Sequence, residues 1–173
     1  MIESIAAESL LLALDGALGE PFAAIAPRRS GGPTRWDERL DVQPNLMAQI
    51  AALLPGEARR AVVAVVVGIG PGSYSGIRAA AGAGAAIALA LGVPVVPVPS
   101  DAAIAHAANR RVDLALGARE FLRIEPNGAR LMSRSTVGDA APLDLTARTA
   151  LRGELAAALM DAGRAQLANG GGL

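Results

Sequence analysis

The sequence predicts an α/β fold in which a short antiparallel sheet is extended by parallel strand–helix units on one core. Three observations carry that reading. Two apolar runs near the start, residues 8–15 and 21–26, are separated by turn residues at hairpin distance. Residues 61–69 form an unbroken, valine-rich apolar run, the pattern of a strand covered on both faces. Beyond it, strand-like and helix-like segments alternate, as parallel βα units require.

Residues 8–15 (ESLLLALD) end at Asp15-Gly16, where turn material runs through Gly19. Residues 21–26 give the second strand, and the stretch RRSGGP at 28–33 turns the chain again. Residues 35–41 (RWDERLD) alternate enough to form a third, more exposed strand. The period then changes: Leu46, Ile50, Leu53 and Leu54 share one face of a helix over 43–54, with Met47 beside them, and Pro55-Gly56 ends it. After the strand at 61–69 comes a glycine loop, then a helix over 75–91. Ser73 or Ser75 can cap its first turn, and Gly92 stops it. Residues 93–98 read as another buried strand, and Ser100-Asp101 as the cap of a helix reaching about Asn109. The order β-β-β-α-β-α-β-α resembles a lobe of the actin-like, Hsp70 and sugar-kinase superfamily, a ribonuclease H-like arrangement. Residues 112–116, 121–125 and 130–133 are short strand candidates, with Pro126-Asn127-Gly128 as a hairpin turn. Residues 144–167 have helical composition, and 169–173 should fray. The expected division is an actin-like lobe over 1–100 and a reduced second lobe over 101–173, carrying the C-terminal helix and a frayed tail. Neither a linker nor an internal repeat marks the boundary.

The chain of 173 residues fits one domain of ordinary size. Hydrophobic residues make up 52%, yet the aromatics are only Phe22, Trp36, Tyr74 and Phe121, so Ala, Val, Leu and Ile must build the core. The net charge is zero, so no broad field draws the chain to nucleic acid. All sixteen basic residues are arginines, which excludes Schiff-base chemistry and the lysine of a P-loop. Cysteine is absent, and with it disulfides, thiol nucleophiles and cysteine-bound metals. The start carries Glu3 and Glu8 and no basic cluster, unlike a secretory signal. Residues 79–99 are uncharged and long enough to span a bilayer, but Gly82, Gly84, Gly92, Pro94, Pro97 and Pro99 interrupt them. A helix followed by a buried strand accounts for them better. The expectation is a soluble, cytoplasmic protein without membrane contact.

The loop at 68–78 reads GIGPGSYSGIR. A Walker A motif fails because Ile77 follows Gly76. A dinucleotide fingerprint fails at Ser73 when begun at Gly68, and at Ser75 when begun at Gly70. A nucleophile elbow fails because Tyr74 is central between Gly72 and Gly76. Two readings stay open for Gly70, Pro71, Gly72, Ser73, Tyr74, Ser75, Gly76 and Arg78. Their amides could face an anion from a helix N-terminus, or the glycines could serve a sharp turn and close approach. In the helix, Gly76, Ala80, Gly84 and Ala88 fall four apart, a row without bulk. Ile77, Gly84 and Leu91 form a seam with Ile87 beside it. One face must cover the chain's own sheet. The rest is uncharged beyond Arg78, which implies a second buried face and a partner helix. The expected interface is therefore Ile77, Ala80, Gly84, Ile87, Ala88 and Leu91.

No catalytic or metal-binding constellation emerges. His106 is the only histidine, so a histidine-based metal site lacks a second ligand. Asp37, Glu38 and Asp41 read as a solvated face, and Asp113, Glu120 and Glu125 have no recognisable partner spacing. Asp15, at the end of the first strand, is the one acid in a suggestive place.

GPGSYSGIR at 70–78 resembles the GPGSFTGLR signature of the TsaB family, the dimerisation subunit of the bacterial tRNA threonylcarbamoyladenosine machinery. Tyr74, Ser75 and Ile77 stand where the signature has Phe, Thr and Leu. The likeness extends to LGVPVVPVPS at 91–100 and is specific over about 61–105. It implies a non-catalytic subunit of the actin-like superfamily that dimerises with a TsaD-like threonylcarbamoyltransferase through the helices at 43–54 and 75–91. It further implies a TsaE-like ATPase as a second partner, a homodimer in isolation, and only indirect contact with tRNA. No intrinsic cofactor is implied; ATP or ADP with magnesium would enter only at a partner interface. The sequence departs from the family in three places. Asp15-Gly16-Ala17 stands where members have Asp-Thr-Ser, Asp41-Val42-Gln43 where a histidine commonly precedes the first helix, and Gly117-Ala118-Arg119 where an Asp-Ala-Arg segment begins the second lobe. In actin-like folds an aspartate at the position of Asp15 contacts a metal–phosphate. The alternative reading is accordingly a stand-alone nucleotide-dependent enzyme using Asp15 and the loop Gly70–Gly76.

Overall fold

The computed structural model describes residues 9–29, 35–36, 45–116, 119–135 and 145–171. The elements run β1 (Leu10–Asp15), β2 (Phe22–Pro27), β3 (Arg35–Trp36), α1 (Leu46–Leu53), a 3-10 segment (Gly56–Ala61), β4 (Val62–Gly68), α2 (Tyr74–Leu91), β5 (Val95–Val98) and α3 (Ser100–Ala108). The second half adds β6 (Val112–Ala115), β7 (Glu120–Glu125), β8 (Gly128–Ser133) and α4 (Leu145–Ala168). The predicted order is present, and the sheet is mixed as expected. Five strands lie in the order β3-β2-β1-β4-β5, with β1 antiparallel to β2 and parallel to β4. Strands β6, β7 and β8 form a separate antiparallel sheet. Of the third predicted strand, Arg35 and Trp36 pair with Ile25 and Ala24. Asp37, Glu38 and Asp41, together with Val42, Gln43, Gly117 and Ala118, lie outside the described residues, as do Glu3 and Glu8.

Because side chains alternate along a strand, β1 feeds two cores. Leu10, Leu12 and Leu14 join Leu46, Ile50 and Leu54 at α1, and Ala80 and Ala88 of α2. Leu11 and Ala13 join Val66 and Val96 of the sheet, Ile104 of α3, and Leu155, Leu159 and Met160 of α4. All six residues of β1 are buried, and β4 is buried except at the half-exposed Val63. The C-terminal helix, assigned from sequence to the second lobe, thus covers the first-lobe sheet. Polar ties fix it there. Arg152 of α4 is buried and ion-paired with Glu20, while the Arg164 guanidinium donates to the Pro27 carbonyl at 2.8 and 3.2 Å.

The caps show how local sequence places α2. Ser73 is its N-cap, its Oγ accepting from Gly76 N–H at 3.4 Å, and Gly92 closes it in the left-handed conformation at φ 65°. The predicted cap of α3 is corrected: Pro99 holds that position without a side-chain bond, and Ser100 is the first helical residue. Its hydroxyl is engaged elsewhere.

Candidate functional site

The glycine loop leaves the end of β4 beside the β1–β2 turn, and the two segments interlock. A Cβ placed on Gly16 would stand 2.2 Å from the Gly76 carbonyl carbon, and one on Gly76 would stand 2.1 Å from Gly16 O. A Cβ on Gly72 would meet Ala17 at 2.5 Å. Ser73 N–H donates to Ala17 O at 2.9 Å, and the Gly70–Pro71 peptide is cis. Glycine is required here because backbone touches backbone, which is the close-approach reading of the loop.

Asp15 is fully buried under this junction. Its Oδ1 accepts from Ala17 N–H at 2.6 Å and its Oδ2 from Ser100 Oγ at 2.5 Å. Ser100 Oγ in turn accepts from Gly70 N–H at 2.9 Å. Burial pushes the Asp15 carboxyl above the usual carboxylate range, and the hydrogen bonds from Ser100 and Ala17 oppose that shift. Both carboxylate oxygens are therefore occupied by the chain itself. The one local signal of Ser100 in the sequence is its place in the serine turn after LGVPVVPVP, which does not indicate the distant partner Asp15.

Helix α2 has a differentiated circumference. Gly76, Ala80, Gly84 and Ala88 are its buried residues. A Cβ on Gly84 would lie 2.5 Å from Val67 Cγ2 and 3.4 Å from Leu14 Cδ1. The small-residue row therefore meets the chain's own sheet, which corrects the expectation that Ala80, Gly84 and Ala88 face a partner. Ile77, Ile87 and Leu91 are half-buried and flank the two cores. The outward face instead carries Tyr74 (74% exposed), Arg78, Gly82, Ala85, Ala86 and Leu89 (85% exposed). The Arg78 guanidinium lies 5.3 Å from the centre of the Tyr74 ring, and its nitrogen reaches the Tyr74 hydroxyl at 3.4 Å. Neighbouring α1 exposes Met47, Ala51 and Ala52. Among the described residues, α2 alone has the length and composition of a bilayer span, and its inner row is engaged on the sheet.

The other acids and His106 lie apart from this junction. His106 is exposed on α3, beside a shallow pocket of about 330 Å3 that Asp101, Asn109 and Glu125 also line. Asp113 is buried and paired with Arg123 at 2.9 and 3.1 Å. Glu120 is exposed, and Glu125 meets Arg130 at 3.3 Å. Among the described residues no three His, Asp or Glu side chains are grouped as metal ligands.

The same fold occurs in solved structures. YeaZ from Pseudomonas aeruginosa superposes with a TM-score of 0.65 at 22% identity, over 95% of both chains. A second structure, of an uncharacterized protein with similarity to peptidase YeaZ from Pseudomonas aeruginosa, gives 0.63 at 22% identity, over 95% of this chain and 94% of that one. That likeness shows the actin-like, ribonuclease H-like fold. No curated protein matches the sequence. The family model described as TsaD, tRNA N6-adenosine threonylcarbamoyltransferase, matches residues 46–119. The chain is thus similar to the TsaD family over residues 46–119 and, in fold, to the YeaZ structures over nearly its whole length. The matched segment runs from α1 through α3 into the second sheet, so it contains the TsaB-like loop and both helices with exposed apolar faces.

Proposed function

We propose that this chain is a non-catalytic subunit of the tRNA threonylcarbamoyladenosine machinery, docking a TsaD-like threonylcarbamoyltransferase through the outer face of α1 and α2. The observation that carries the reading is the TsaD-family match over residues 46–119, the segment that presents this face. Two chains with related helices at their surfaces can pair about a pseudo-twofold axis, each offering an equivalent patch. The patch is apolar and lacks charge beyond Arg78, as the core of a stable interface requires. The interlocked glycines and the occupied Asp15 carboxylate favour a scaffold role for the loop over phosphate handling. In isolation the same face pairs two copies of the chain. A TsaE-like ATPase joins the complex, nucleotide with magnesium enters only at a joint surface, tRNA is met through the catalytic partner, and the work is cytoplasmic.

Depletion of the protein tests this reading. Threonylcarbamoyladenosine should disappear from tRNA hydrolysates; an unchanged nucleoside profile would overturn it. Calorimetry of the isolated chain with ATP and magnesium should be silent. Tight binding there would transfer the role to a nucleotide-dependent enzyme built on Asp15 and the loop Gly70–Gly76.

A further inference from the structure

Ser100 stands at the start of α3, fully buried, with no part in capping that helix. A hydroxyl carries one hydrogen and accepts through its lone pairs. Here the hydrogen goes to Asp15 Oδ2 at 2.5 Å, and a lone pair takes Gly70 N–H at 2.9 Å. The Ser100 backbone N–H also donates to Gly70 O at 2.9 Å, so residue 70 is held by both of its polar backbone groups. From Asp15 the chain of bonds continues through Ala17 N–H at 2.6 Å, and from Ala17 O to Ser73 N–H at 2.9 Å. Ser73 is the N-cap of α2. One hydroxyl thus links the end of β1, the glycine loop and the first turn of α3, with two bonds leading to the residue that launches α2. The junction has no slack: a Cβ on Gly68 would stand 2.8 Å from Ser100 Oγ.

We propose that Ser100 is a positioning residue whose hydroxyl sets the path of residues 70–73 and thereby the placement of Tyr74 and the outer face of α2 for docking. The docking half of this inference rests on the function proposed above; the loop half does not. Removing the hydroxyl strands a buried carboxylate oxygen and a buried N–H together, so the loop should open locally more often.

The test is amide hydrogen exchange on the full chain carrying Ser100→Ala. Exchange at Gly70 and residues 72–78 should accelerate by about tenfold or more, with β4 amides unchanged relative to wild type. Unchanged loop exchange, or equal acceleration in β4, would overturn the inference. If that variant does not fold, Ser100→Cys, whose thiol is a weaker donor and acceptor, is measured in the same way and should accelerate the same amides by a smaller factor, unchanged loop exchange again overturning the inference. Affinity for the TsaD-like protein of the same cell is then measured by calorimetry. Ser100→Ala should weaken it by about tenfold, as expected when an interface must first be ordered. Wild-type affinity in a variant with a loosened loop would sink the positioning role. Failure of the wild type itself to bind would sink the function proposed above and leave the exchange result standing.

Discussion

Gly84 of α2 lies so close to Val67 of β4 that a Cβ on it would stand 2.5 Å from the valine's Cγ2. The helix therefore sits on the sheet through its backbone at this point, and the valine, β-branched and held in a strand, has little freedom to move aside. Two effects oppose each other in Gly84→Ala. Helix propensity favours alanine by about 1 kcal/mol, and overpacking costs about 1–3 kcal/mol. Overpacking should win, giving a net loss of about 1 kcal/mol in urea unfolding, and Gly84→Leu should fail to fold. Gly82, two residues earlier, has open space around its Cβ position. Gly82→Ala should raise stability by about 0.5–1 kcal/mol. The same sign in both alanine variants would show that the face assignment of α2 is wrong.

The neighbouring strand residue is gripped from the other side. A Cβ on Gly163 of α4 would meet Val66 Cγ2 at 2.5 Å and Cγ1 at 3.1 Å. Gly163→Ala should destabilise by about 1–3 kcal/mol as an overpacked site. Val66→Ala, which opens space there, should cost about as much by loss of burial, but the double variant should cost less than the sum by 0.5 kcal/mol or more, written as a coupling of roughly 0.5–2 kcal/mol. A strictly additive double-mutant cycle would place α4 elsewhere on the sheet.

Topology was the most legible level, because it rests on local signals. The apolar runs of β1 and β4, the capping Ser73 and the closing Gly92 each act through their own neighbours. The inner and outer faces of α2 were harder to separate, since Ala80 and Ala85 have the same hydropathy and differ only in what they touch. Size is the discriminating property: Gly76 and Gly84 stand where atoms of the sheet or turn leave no room, whereas Tyr74 and Leu89 project outward. Ser-Asp before a helix has the local meaning of a cap, whereas the partner that engages the Ser100 hydroxyl, Asp15, is 85 residues away. Burial of Arg152 was illegible for the same reason, its partner Glu20 being 132 residues distant.

Asp15 should give the protein a specific pH signature. Its pKa is raised in the folded chain, chiefly by burial, so the folded state holds this proton more tightly than the unfolded state does. The contribution is therefore fully present below the unfolded pKa and is lost as pH rises through the folded one. Asp15→Asn keeps the shape and removes the titration. The difference in urea midpoint between wild type and Asp15→Asn should shift toward the variant as pH rises from about 4 through the raised pKa, then level off. Parallel pH profiles for the two proteins would show that Asp15 is not perturbed. Asp15→Ala should be less stable at every pH, by about 1–3 kcal/mol, because Ala17 N–H and the Ser100 hydroxyl lose their acceptor.

Folding and docking should separate on the outer face of α2. Leu89 is 85% exposed and lies in the last turn, where a cation is compatible with the helix dipole. Leu89→Arg should therefore leave the thermal unfolding of the monomer within about 0.5 kcal/mol of wild type. Buried in an interface, the same charge would lack a partner among the uncharged exposed residues of its own helix, Ala85 and Ala86. Association with the TsaD-like subunit should weaken by about tenfold or more, and Tyr74→Ala should weaken it further, since aromatic anchors concentrate binding energy. Calorimetric titration of both variants against that subunit checks the prediction. Undiminished affinity in the pair of variants would move the docking surface away from α2, whereas loss of folding in Leu89→Arg would mean that this face is covered by the chain itself.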